Sequence, residues 1–373
     1  MTTEETSLTT ALQSLVQQSI RRDGGWLPFD RFMALALYAP GLGYYDSSSR
    51  QFGQLPSSGS DFVTAPEMSP LFGQTLAVQV AEALQVTGTD EVWEFGAGSG
   101  ALALQLLQAL GQRVRRYTIV DVSGALRARQ QQRLAGASDR VEWASELPQA
   151  MRGVVVGNEV LDAMPVKLLA RIGGRWHERG VVVADQADPD PEAHGGLAWQ
   201  DRLTDLRPSV EIAGEHDYLT EIHPQAEAFV RTLADRLVQG AAFFIDYGFP
   251  EGEYYHPQRH MGTLMCHRGH VADTDPLADL GRKDITAHVN FSGLALAAQE
   301  AGLPTLGYTS QARFLVNCGL VPLMAQADLA GRVSGQRLMA EHEMGELFKV
   351  IGFHRGDFWD ATGFREGDRT HTL

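Results

Sequence analysis

From residue 91 onward, short apolar runs rich in β-branched and aromatic residues alternate with longer runs of helix formers. The apolar runs predict strands at 91–95, 117–121, 140–143, 153–157 and 241–246, with helices at 100–110, 124–135 and 223–238. Such alternation predicts an α/β fold: a mainly parallel sheet covered by helices on both faces. Upstream, residues 8–21, 28–38 and about 69–84 read as helices. The second starts behind Pro28 and carries Phe29, Phe32, Met33, Leu35, Ala36 and Leu37, an apolar face that must be buried. Helices at about 292–302, 311–317 and 321–340 close the chain.

Three stretches interrupt this pattern. Residues 39–66 are dense in glycine, serine and proline yet hold Tyr44, Tyr45, Phe52 and Phe62, so an ordered, functional loop is expected. Residues 185–210 are rich in Asp, Pro and Gly and read as an insertion, and 248–290 form a second irregular stretch crowded with His and Tyr. The expected division is therefore 1–88, N-terminal helices and loop; 89–310, an α/β core with insertions near 165–220 and 248–290; and 311–373, a helical region packed on the core.

The chemistry starts at the first strand of the alternating region, in the segment VWEFGAGSG at 92–100. Gly96, Gly98 and Gly100 let backbone approach a ligand where a Cβ would clash, and the turn opens a helix whose first N–H groups are free donors. Gly96-x-Gly98-x-x-Ala101 also fits a dinucleotide fingerprint, with alanine in the third place. Glu94 favours S-adenosylmethionine instead: an acid at the strand end suits a methionine ammonium and repels a pyrophosphate. Asp121, at the end of the next strand, stands where a carboxylate holds ribose hydroxyls, which suits both cofactors.

Charge narrows the partners. The 373 residues carry a net charge of −15, which argues against nucleic acid or an anionic membrane and is compatible with an arginine-bearing protein substrate. No apolar run approaches the ~20 residues of a membrane span. The opening MTTEETSLTT is unlike a targeting segment, so a cytoplasmic location is expected. Cys266 and Cys318 imply neither a disulfide framework nor a CxxC site. The histidines at 256, 260, 267, 270 and 288 lack a cysteine or carboxylate pattern around them, and no metal is expected.

In an open parallel sheet, ligands bind beyond the carboxyl ends of the strands, which selects Gly96 to Gly100, Asp121 and Val122, Trp143 and Ala144, Asn158 and Glu159, and Asp246 and Tyr247. Trp143 is as well explained by core packing as by contact with an adenine. Asn158, Glu159 and Asp162 follow the fourth strand, where substrate-facing polar groups are placed. An arginine acceptor would present a planar fork of donors that carboxylates can hold. Glu159 and Asp162, three apart, would share one side of a helical turn; ordinary acids in a first helical turn explain them equally well.

Longer segments carry a more specific signal. ALYAPGLGYY (36–45), GSDFVTAPEMSPLFGQ (59–74), WEFGAGSG (93–100), GNEVLDAMPV (157–166), IDYGFPEGEYYHPQR (245–259), DITAHVNFS (284–292) and QARFLVNCGL (311–320) together resemble the MidA family, which comprises a mitochondrial complex I assembly methyltransferase and bacterial relatives. The resemblance implies a class I S-adenosylmethionine-dependent methyltransferase with a seven-stranded sheet whose last strand is antiparallel. It implies protein arginine methylation, with a subunit of the NADH–quinone oxidoreductase as one candidate substrate. Carried over by motif, Gly96, Gly98, Ser99 and Gly100 line the cofactor, Asp121 takes the ribose beside Val122, and Glu94 and Asn158 complete the site. Asp61, Phe62, Thr64 and Glu67 are expected to fold over the cofactor, and Asn158, Glu159 and Asp162 to serve the reaction. Asp121 stands where relatives commonly have glutamate, and Ser60 departs from a glycine pattern before Asp61. A cofactor-binding assembly factor without catalysis, a small-molecule methyltransferase and an NAD-dependent enzyme are the competing functions.

Overall fold

A computed structural model describes residues 3–46, 64–121, 123–184, 196–269 and 271–373. By contacts the chain divides into two compact units: Met1–Phe62, Ala163–Ala226 and Glu251–Asn290 in one, and Val63–Asp162, Glu227–Pro250 and Phe291–Leu373 in the other. The division read from the sequence ran along the chain in order. Contacts interleave it instead: the stretches read as insertions group with the N-terminal helices, and the C-terminal segment groups with the alternating core.

The second unit is built on a sheet of β1 (Glu91–Phe95), β2 (Arg116–Val120), β3 (Val141–Ala144), β4 (Met151–Asn158), β5 (Leu237–Phe249), β6 (Thr305–Ser310) and β7 (Phe348–Arg355). Their order is β3-β2-β1-β4-β5-β7-β6. The first five are mutually parallel, and β7 runs antiparallel to both β5 and β6. These seven strands, one of them reversed, match what the motifs implied; among the described residues the sheet has eight in all, the eighth a two-residue strand off this order. The reversed strand comes from the C-terminal region, where only helices were expected. The single helix expected at 321–340 is two, Leu320–Gln326 and Leu329–Met339. Asp328 starts the second by accepting the Gly331 N–H at 2.8 Å, so the chain restarts there.

Helices α1 (Pro70–Thr87), α2 (Ala101–Leu110) and α3 (Gly124–Arg133) belong to the same unit. Leu76, Val80 and Leu84 of α1 and Leu102, Leu106 and Leu107 of α2 are buried with Val92, Ile119, Val154 and Val156 of the sheet. Each such side chain contributes about 1.5–3 kcal/mol when fully buried. Sequence order reverses between β1 and β4: the chain leaves β1 for β2 and β3 on one side, then returns to β4 on the other. A crevice for a ligand opens at such a point, at the carboxyl ends of the strands.

The first unit holds the helices Thr3–Arg22 and Phe29–Tyr38 and an antiparallel sheet of Leu27–Pro28, Lys167–Ile172, Arg175–Val183, Leu197–Leu203 and Tyr218–Ile222. A smaller sheet places Met265–Arg268 between Val271–Asp273 and Asp284–Thr286. Its core joins Leu12, Val16 and Ile20 to Phe29, Phe32, Leu168, Val181 and Leu197. The described residues near 165–220 thus carry four strands, while those of 248–290 hold only short strands and one short helix, Glu251–Tyr254, in otherwise irregular chain; 185–195 and residue 270 lie outside the described residues.

Candidate functional site

The turn after β1 is shaped by three glycines with positive φ: 62° at Gly96, 51° at Gly98 and 81° at Gly100. A Cβ on Gly96 would lie 2.9 Å from Val160 Cγ2, so the turn also has no room for a side chain there. Gly100 starts α2 without any side-chain cap. The first N–H groups of the helix are left to a ligand or water.

Glu94, two residues before the turn, is buried, and its Oε2 accepts the Tyr117 hydroxyl at 2.6 Å. Burial pushes the Glu94 carboxyl up to about 8, held back by the Tyr117 bond and raised further by Asp121. Tyr117 is pushed well above its ordinary value by burial and by Glu94. Among the described residues Glu94 has no ion pair. A cationic group arriving here would find a carboxyl waiting to lose its proton.

Asp121 follows β2. Its Oδ1 accepts the Ser123 N–H at 3.0 Å and its Oδ2 accepts Gln130 Nε2 at 2.9 Å. A carboxylate only accepts hydrogen bonds, which is the chemistry that holds ribose hydroxyls at the end of a second strand. Gln130, fully buried on α3, also donates to Gly98 O at 3.0 Å and accepts Trp143 Nε1 at 3.0 Å. One side chain therefore ties together the glycine turn, Asp121 and the end of β3. Trp143 packs against the core and its Nε1 donates to Gln130, as the core-packing reading expected. Val122, Asp61 and Phe62 lie outside the described residues.

Thr64 precedes the short helix Ala65–Met68 and accepts the Met68 N–H at 3.0 Å through its carbonyl; its side chain caps nothing. Ser99 donates its hydroxyl to Glu67, and Arg133 joins both, at 2.6 Å to Glu67 Oε1 and 2.5 Å to Ser99 Oγ. The Ser99 hydroxyl, expected to meet the cofactor, is thus engaged in fastening the Ala65–Met68 segment to the glycine turn. Nothing in the sequence singled out Gln130 or Arg133, which sit in an ordinary polar helical run.

The turn after β4 does not form the helical turn expected for Glu159 and Asp162. Residues 160–162 curl instead around Asp246 of β5, whose buried Oδ2 accepts the N–H groups of Val160, Leu161 and Asp162 at 3.1, 2.9 and 3.2 Å. Its Oδ1 accepts the Tyr247 N–H at 2.9 Å. Burial and the carboxyls of Asp162 and Glu159 push Asp246 upward, against the Leu161 and Asp162 N–H bonds that favour the anion. Glu159 has φ 53°, unusual for a residue with a side chain, and donates its N–H to Ile245 O at 2.9 Å. Asn158 Nδ2 donates to Glu159 Oε1 at 3.0 Å, and Tyr247 donates its hydroxyl to Asp162 Oδ2. Asn158, Glu159 and Asp162 are therefore brought into one polar turn, with Tyr247 as a fourth member.

A model for a family of S-adenosyl-L-methionine-dependent methyltransferases matches residues 75–309, more than half of the chain. The chain belongs to this family. It is the family that the motif segments resembled, and the mainly parallel sheet agrees with it. A crystal structure of a protein from Burkholderia thailandensis bound to S-adenosyl-homocysteine is 48% identical, with a TM-score of 0.94 over 100% of this chain and 99% of that one. A second crystal structure from the same organism is 47% identical, with a TM-score of 0.90 over 100% and 99%. Among curated relatives, the zebrafish (Danio rerio) protein arginine methyltransferase NDUFAF7, mitochondrial, is 28% identical over 86% of this chain and 81% of its own length. The human protein of that name is 26% identical over 86% and 78%.

Described residues of this family member include no helix long and apolar enough to cross a membrane. They include no group of three or more His, Cys, Asp or Glu placed to hold a metal ion. The residues after β1 and β2 fit the cofactor of the family: a glycine turn without room for a Cβ at Gly96, a buried carboxyl suited to a cation, and an aspartate at the end of the second strand.

Proposed function

We propose that this methyltransferase modifies arginine side chains of a protein. The observation that carries the reading is the turn after β4, where Glu159 and Asp162 stand together beside Asn158 and Tyr247. The similarity to proteins named as arginine methyltransferases supports it. In this reading Gly96, Gly98 and Gly100 admit the cofactor, Glu94 faces its ammonium and Asp121 its ribose hydroxyls; Thr64, Ser99 and Val122 belong to the surrounding wall.

Bound S-adenosylmethionine supplies a methyl group already activated on a sulfonium. The chain's own task is to present one guanidinium nitrogen in line and to keep water away. An arginine guanidinium is protonated at any ordinary pH and presents five N–H donors in a plane. Glu159 and Asp162 hold that fork, so that one nitrogen is oriented and its proton passes to a carboxylate as the new N–C bond forms and the S–C bond breaks. The cytoplasm of a bacterium is the proposed setting, and a subunit of the NADH–quinone oxidoreductase is the first candidate substrate, on the strength of the family resemblance.

The test is transfer of label from tritiated S-adenosylmethionine into extract from cells lacking the gene. A discrete labelled protein that yields methylated arginine on hydrolysis supports the reading. Label in another residue type or in small molecules alone overturns it.

A further inference from the structure

We infer that Asp246 is a positioning residue for this reaction: by gathering three consecutive backbone N–H groups, it fixes the turn from which Glu159 and Asp162 act. Three donors, from Val160, Leu161 and Asp162, converge on its single Oδ2 at 2.9–3.2 Å. Asp246 is fully buried, on a strand hydrogen-bonded in register with β4, whose last residue, Asn158, pairs with Ile245. The turn therefore winds about a fixed point of the sheet. It does so at a conformational cost, because Glu159 is held at φ 53°. A non-glycine residue keeps such a conformation only where its surroundings over-determine it. Here the surroundings are the Asp246 carboxylate ahead of Glu159 and the Ile245 carbonyl that accepts its N–H.

The next residue of β5 extends the control. Tyr247 donates its hydroxyl to Asp162 and its N–H to Asp246 Oδ1, so two neighbouring residues of one strand hold both the backbone and the side-chain end of the turn. Asp246 itself spends its oxygens on backbone N–H groups and needs no contact with a substrate. Its role is separable from that of the carboxylates it places, and it rests on the arginine reading only for what those carboxylates hold.

Two variants test this. Asp246→Asn keeps the shape but sets an amide N–H against backbone N–H groups; Asp246→Glu keeps the charge but moves it. Hydrogen exchange of Val160, Leu161 and Asp162, the calorimetric affinity for S-adenosylhomocysteine, and the rate of tritium transfer into extract from cells lacking the gene are measured for each. Expected in both variants is exchange of those three amides at least tenfold faster, with Val154–Val156 unchanged. The transfer rate at saturating S-adenosylmethionine falls about thirtyfold or more, while the affinity for S-adenosylhomocysteine and the KM for S-adenosylmethionine stay within threefold. A rate within threefold of wild type overturns the assignment. So does a lost rate with the three amides still protected, or a rate that Asp246→Glu retains. A variant that no longer binds S-adenosylhomocysteine also overturns it, since the residue then holds the fold rather than the turn. Label found outside arginine would end the arginine reading while leaving the positioning result intact.

Discussion

Tyr117 on β2 donates its hydroxyl to the buried carboxyl of Glu94 on β1 at 2.6 Å. The two residues are diagonal neighbours, because Glu94 stands opposite Ile119 and Tyr117 opposite Val92. Burial pushes the Glu94 carboxyl up to about 8; the Tyr117 hydroxyl, a neutral donor, offsets this only in part, and Asp121 adds to it.

With Glu94 facing the cofactor ammonium, as proposed, cofactor binding is expected to release a proton. A ligand ammonium favours the carboxylate, so below pH 8 binding must expel the Glu94 proton. The affinity for S-adenosylhomocysteine is expected to rise with pH, by up to about tenfold per unit below pH 8, and to level above it. Calorimetry at pH 7 in buffers of different ionisation enthalpy should show about one proton released. A flat pH profile would contradict the assignment of Glu94 to a cationic group.

The same group sets a pH dependence of stability. The folded-state value of about 8 lies above the ordinary 4.5, so the folded chain retains a proton that the unfolded chain loses between them. Stability is therefore full below pH 4.5 and falls as pH rises toward 8, by roughly 5 kcal/mol at most. Glu94→Gln removes that slope. Its melting temperature relative to wild type should climb between pH 5 and pH 9 without ligand, while its affinity for S-adenosylhomocysteine drops. Parallel curves for the two proteins would contradict this.

Gln130→Leu should weaken the whole cofactor corner. It strips a partner from Gly98 O, Asp121 Oδ2 and Trp143 Nε1 at once. A buried polar group left without a partner costs about 1–3 kcal/mol. A lower melting temperature and at least tenfold weaker S-adenosylhomocysteine binding are expected, read by thermal melts and calorimetry. Unchanged affinity would mean that the three groups keep their places unaided.

Gly96→Ala combines two costs, a positive φ of 62° and a Cβ 2.9 Å from Val160 Cγ2. Backbone strain of this kind costs of order 1–3 kcal/mol. Val160→Ala in the same chain should return only the steric part, so thermal melts should rank wild type above the double variant and the double above the single. A single variant as stable as wild type would show that the turn tolerates a side chain.

Much of the sheet was legible because its central parallel strands are buried on both faces and read as apolar runs, as in Val154–Val156 and Ala241–Ile245. The strands of the first unit were not, since Lys167–Ile172 and Arg175–Val183 mix charge with apolar residues and face solvent in part. Strand β7 was missed for another reason: its antiparallel pairing with β5 joins residues about a hundred positions apart, which no local pattern records. At the site, the glycines and the acids at strand ends announced themselves by position. Gln130 did not, because a glutamine in a polar helix looks the same whether it faces water or three buried partners. The turn at 159–162 looked helical because the three N–H groups that Asp246 gathers could equally have begun a helix.

Glu159→Gln and Asp162→Asn, each compared with wild type, test the chemistry most directly. Labelled methyl transfer into extract from cells lacking the gene gives the rate, and calorimetry with S-adenosylhomocysteine gives the affinity. If these carboxylates hold the guanidinium, each variant binds S-adenosylhomocysteine within threefold of wild type yet transfers methyl at least a hundredfold more slowly. Transfer at the wild-type rate in both variants would contradict that role.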